Sequence, residues 1–135
     1  MIDRSITIAL LQKSHQRLDA ARILYTEGHY EDSINRAYYA MYLAASALLH
    51  RKGIEVRTHA GLISAIGSEY IRTGEIAPEH GRALNLIEGL REEVDYTVCR
   101  RITREEVVSV ITRARDFVMC AERICAEDCT DCSPF

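Results

Sequence analysis

Tyr38, Tyr39 and Tyr42 share about three helical turns with Ala37, Ala40, Ala44 and Ala45, in the stretch Asn35-Arg36-Ala37-Tyr38-Tyr39-Ala40-Met41-Tyr42-Leu43-Ala44-Ala45. Small residues allow a neighbouring helix to approach closely. Each tyrosine adds a large apolar ring and a hydroxyl that needs a partner. Such a helix is interior on several sides, so it requires other helices packed around it. Successive residues point about 100° apart, which sends Tyr38 to the Ile34, Met41 and Ala45 side as core. That leaves Tyr39 or Tyr42 to line a groove or a subunit interface, and the spacing predicts that the three do not face one way.

The rest of the chain supplies those helices. Apolar positions recur with the 3.6-residue period and no strand alternation is found, which predicts five helical segments. The first runs over about residues 5–27, with Leu11, Leu18, Ala21 and Tyr25 on one stripe and Gly28 as its stop. The second covers about residues 30–51 and ends before Gly53. Thr58 suits the N-cap of a third, which carries His59, Leu62, Ile66 and Tyr70 along one face as far as Gly74. Pro78 suits the first turn of a fourth, with Ala83, Ile87, Leu90 and Val94 repeating. Thr103 and Glu106 form a capping box ahead of a fifth, which buries Val107, Ile111, Ala114, Val118 and Ala121. With connections of about five to seven residues, the expected fold is all-α, an antiparallel up-and-down bundle of four to five helices.

With 135 residues the chain makes one domain: a bundle over residues 1–127 and a cysteine-containing tail over residues 128–135. A hydrophobic content of 47% beside 27% charged residues is that of a globular chain. No apolar run reaches the ~18 residues of a membrane span and no signal-peptide layout opens the sequence, so a cytoplasmic protein is expected, with no membrane partner. The net charge of −3 gives no general attraction to nucleic acid. Arg100, Arg101, Arg104, Arg113 and Arg115 could form a local basic patch, but a salt-bridged helix surface is the ordinary reading.

The tyrosine helix, His59 with Gly61, Gly81, and then Leu90-Arg91-Glu92-Glu93-Val94-Asp95-Tyr96 follow one another in an order and spacing that resembles the HEPN domain, specifically its short stand-alone prokaryotic branch. The resemblance spans roughly residues 10–120, and the last segment is similar to that branch's Arg, three residues, Asp-Tyr element. Ribonuclease members of the superfamily use an Arg, four to six residues, His motif, and two such motifs meet across a homodimer. Here Arg91 takes the arginine position, but residues 96–98 are Tyr96, Thr97 and Val98. Tyrosine, which ionises near pH ~10, is a poor general base at neutral pH, so Tyr96 does not replace the histidine. The Arg22 and His29 spacing fits the motif only formally, because it spans a helix end and a turn.

Arg91 and Asp95 lie four apart on one helical face beside Tyr96. They read either as a phosphate or nucleotide site, with arginine on the phosphate and aspartate orienting it, or as an ion pair that fixes the bundle or a dimer. Tyr39 could stack on a base, and Asn35 could be a ligand or a satisfied polar residue. His59 is a structural histidine, or the proton-transfer group if the fold brings it to Arg91. Cys120, Cys125, Cys129 and Cys132 include one two-residue gap of the kind found in thiolate metal sites. Cys120 and Cys125, five apart on a helix, diverge by about 140°, so no metal and no other cofactor is expected.

The resemblance implies a non-catalytic or weakly catalytic protein that homodimerises and works with a small MNT-type nucleotidyltransferase, in a toxin–antitoxin or nucleotide-handling module. The alternatives are a metal-independent endoribonuclease using Arg91 with His59 or Tyr96, acting on RNA, and a simple nucleotide-binding module.

Overall fold

Helix boundaries fall where the capping chemistry puts them. The computed structural model describes residues 3–127, so the expected tail at 128–135 and its Cys129 and Cys132 lie outside the described residues. Helix α1 (Arg4–Thr26) starts at Asp3, whose side chain accepts from the Ser5 amide at 2.9 Å. Helix α2 is Tyr30–His50, α3 is His59–Ile66, α4 is Pro78–Tyr96 and α5 is Arg104–Ala126. Thr58 caps α3 by accepting from the Gly61 amide, and Thr103 with Glu106 closes the capping box of α5. Gly28 and Gly74 take φ of +82° and +83°, the left-handed conformation that ends a helix without a Cβ clash. The links at 27–29 and 51–58 are respectively shorter and longer than the expected five to seven residues.

The tyrosine-bearing α2 is the central helix, lying along α1 and α5 and contacted by α4 and α3. Its Ala37, Ala40, Ala44, Ala45 and Ala47 are fully buried, so α1 and α5 sit close to its backbone. Two buried serines tie the α1–α2 seam: Ser14 donates to the Ala40 carbonyl and Ser33 to the Ala21 carbonyl, each at 2.7 Å. The five α5 positions expected inside are buried, apart from a half-buried Ile111. No helix among the described residues is long and apolar enough to cross a membrane.

The third segment departs from a single α-helix. After Ile66 the backbone widens into a π-helical turn over Gly67–Ile71. Tyr70 in that turn is fully buried; its hydroxyl donates to the Leu48 carbonyl at 2.5 Å and accepts from Arg51 Nη1 at 3.1 Å. Lys52 stands 4.0 Å from the Tyr70 ring centre, so the end of α2 and the π-turn are clamped together.

Candidate functional site

Three helices bring their polar residues to one edge of the bundle. From α2 come Asn35, Tyr38, Tyr39 and Tyr42, spaced 3, 1 and 3 residues apart, so they form one stripe. His59 is the first residue of α3, and α4 contributes Glu88, Arg91 and Asp95.

The three tyrosines differ in exposure, as expected, yet their rings converge. Long side chains reach round the helix to a common neighbour, His59. Its ring centre lies 5.4 Å from Tyr38, 4.9 Å from Tyr42 and 6.3 Å from Tyr39. Tyr38 is fully buried, as its core placement requires, and Tyr39 is 38% exposed. The Tyr38 hydroxyl shares a hydrogen bond with His59 Nδ1, and the same nitrogen stands 3.5 Å from Glu88 Oε2.

Glu88 is the residue that sequence reasoning missed. Its carboxylate accepts from Arg91 Nη2 at 3.0 Å and from Nε at 3.4 Å, while Arg91 Nη1 donates to Asp95 at 3.0 Å. Asn35 Nδ2 donates to the other Asp95 oxygen at 3.4 Å, and the guanidinium lies over the Tyr38 ring at 5.1 Å. The structure therefore places His59 and Arg91 in one cluster through Glu88. The only signal in the sequence was the ladder Glu88, Arg91, Asp95 at spacings of three and four.

Burial works against the Glu88 carboxylate, yet the bonds from Arg91 hold it below the ordinary carboxylate range. Reciprocally, Glu88 raises the Arg91 guanidinium further. Burial, and then the neighbouring Glu88 charge, push the Tyr38 phenol well above its usual value. One arginine faced by two carboxylates is over-neutralised, so a phosphate reaching Arg91 must displace a carboxylate. Asp95, with a side chain 38% exposed against 12% for Glu88, is the one that can swing away.

The other candidates stand apart. Tyr96 ends α4 and is 84% exposed, outside this hydrogen-bonded cluster. Cys120 and Cys125 are buried on α5, where burial raises the Cys120 thiol. No group of three metal-ligating side chains occurs among the described residues. Of the arginines, Arg100 binds Glu93 and Glu106, and Arg115 binds Asp116, a salt-bridged surface.

With this geometry in view, the HEPN domain profile matches residues 8–124. The chain belongs to the HEPN domain family. A Methanocaldococcus jannaschii protein named "Putative toxin MJ0605" is 37% identical over 110 residues, covering 82% of this chain and 81% of its own length. A Thermotoga maritima "UPF0332 protein" is 29% identical over 113 residues, covering 84% of this HEPN chain and 86% of its own length. A second M. jannaschii protein, "Putative toxin MJ0142", is 28% identical over 109 residues, with coverage of 81% and 74%.

Proposed function

We propose that this HEPN domain is the toxin-side member of a toxin–antitoxin pair, a homodimer working with a small MNT-type nucleotidyltransferase, and that it acts through the His59, Glu88 and Arg91 cluster. The observation that carries this reading is the convergence of those three residues at one edge of the bundle, in a chain similar over four-fifths of its length to the protein named "Putative toxin MJ0605". The internal neutralisation of Arg91, and the lack of a histidine after it, favour recognition over cleavage. Inducing the chain in a bacterial host should arrest growth. Co-expression of an MNT-type nucleotidyltransferase should relieve the arrest, as should Arg91→Ala. Normal growth on full induction of soluble wild-type protein would count against the toxin reading.

A second reading, the metal-independent endoribonuclease, has one observation in its favour. Glu88 and Tyr38 engage His59 through Nδ1, while Nε2 makes no hydrogen bond among the described residues. In that scheme Arg91 holds the scissile phosphate and His59 moves a proton through Nε2. Cleavage of labelled RNA in excess EDTA, lost on His59→Ala, is the expected result; intact RNA with wild-type protein excludes this reading.

A further inference from the structure

We propose that the cleft between α3 and α4 beside His59 is a base-recognition site that takes guanine, so that this edge of the bundle reads a guanine nucleotide rather than phosphate alone. This rests on the cluster reading above and adds the ligand's base. The cleft encloses about 360 Å³, in the range of small-ligand pockets, and Ala60 and Ile63 give it an apolar lining. Its polar side on α4 is Asn85, Glu88 and Glu92.

Helix α4 carries two stripes that share one residue. Glu88, Arg91 and Asp95 make the cluster, and Asn85, Glu88 and Glu92, again at spacings of three and four, line the cleft. His59 belongs to both as well, since its Nδ1 stands 3.5 Å from Glu88 while the residue lines the cleft. Cleft and Arg91 are therefore separated by a single carboxylate, the Glu88 that accepts from Arg91 at 3.0 Å. One nucleotide can span that step. Glu88 and Glu92 repel phosphate from the cleft itself and the adjacent cation is Arg91, so the charges set the polarity, with the base in the cleft and the phosphate toward Arg91.

Glu92 selects the base. It is exposed and forms no ion pair among the described residues, whereas Glu88 is held by Arg91. An ionised carboxylate only accepts, and its two oxygens suit a pair of parallel N–H donors. Of the RNA bases, guanine offers such a pair, on N1 and the exocyclic N2. Adenine and cytosine set an amino group beside an acceptor nitrogen, and uracil sets its N–H between two carbonyls, so each of them brings an acceptor against Glu92. Asn85 completes the match, because its Nδ2 donates to the Gly81 carbonyl at 3.4 Å, a long bond that it can leave for guanine O6.

Isothermal titration calorimetry with GMP, IMP, AMP, CMP and UMP tests the site. IMP is the decisive comparison, because it keeps the ring N–H, O6 and phosphate of GMP and lacks only the exocyclic amino group. Wild-type protein should bind GMP about tenfold or more tighter than IMP and than the other nucleotides, the worth of a good bidentate contact. Glu92→Gln, at an exposed position, should bring GMP down to the IMP value with an unchanged thermal melt. Ser64→Phe, which fills the cleft from α3, should remove the preference among nucleotides. A pyrimidine oligonucleotide with one central guanosine separates the sources of the base: tighter binding than GMP assigns the site to an RNA strand, weaker binding to the free nucleotide. Equal binding of all the nucleotides in wild-type and Glu92→Gln protein, lost in Arg91→Ala, overturns the base site and leaves the cluster reading standing. No binding of any nucleotide overturns the base site as well, and the growth assay then judges the toxin reading by itself.

Discussion

Arg91 directs Nε and Nη2 at Glu88 and Nη1 at Asp95, with its flat face over Tyr38. Its two carboxylate partners are unequal, because Glu88 is nearly enclosed and Asp95 is partly in water. Arg91→Ala strands the Glu88 charge in a desolvated place and should lower stability by about 1–3 kcal/mol, read as an earlier thermal melt. Asp95→Asn removes only the more exposed half of the network and should cost no more than about 1 kcal/mol. It also removes a competing negative charge from Arg91. If the cluster receives phosphate, Asp95→Asn should therefore show a larger melting shift with ATP or RNA than wild-type protein, and Arg91→Ala should show none. Equal shifts in all three proteins would remove phosphate from the account. Arg91, Asp95, Asn35 and His59 were legible in the sequence as candidates. Glu88 was not, because a glutamate three residues before an arginine on a helix reads as an ordinary surface pair until a third helix delivers His59 against it.

The start of α5 depends on one carboxylate that serves two purposes. Glu106 accepts from the Thr103 amide and from Arg100, and those bonds, Arg100 foremost, hold its carboxyl down at about 2. A carboxyl depressed in the folded state contributes stability that is fully present above its unfolded value near pH ~4.5 and is lost as pH falls through the folded value. Urea midpoints for wild-type protein should therefore drop between pH ~4.5 and pH ~2, and Glu106→Gln should flatten that part of the profile while lowering the plateau above it. In α2 the requirement is for small volume. Ala44→Leu forces the surrounding helices apart and should cost about 1–3 kcal/mol in the same measurement. Caps and glycine stops made the helix ends readable from sequence. The π-turn at Gly67–Ile71 escaped because His59, Leu62, Ile66 and Tyr70 keep a helical spacing whether the backbone closes its rings normally or one residue wider.

Across the whole molecule, the all-α architecture was readable because apolar periodicity and caps agree along the chain. The meeting of α2, α3 and α4 at one edge was not, since helix order does not state which polar stripes converge. Tyr38 joins the central helix to the edge where His59 and Arg91 meet it, and it has an optical consequence. The chain has seven tyrosines and no tryptophan, so its near-ultraviolet absorption is phenolic. Burial pushes the Tyr70 phenol up to about 12 and holds Tyr38 above its ordinary range as well. An alkaline titration followed at the phenolate band should therefore end in a late component, diminished by Tyr38→Phe and by Tyr70→Phe. Changes in the Tyr38 share on adding a ligand would report on the cluster through a chromophore the protein already carries, with no label attached.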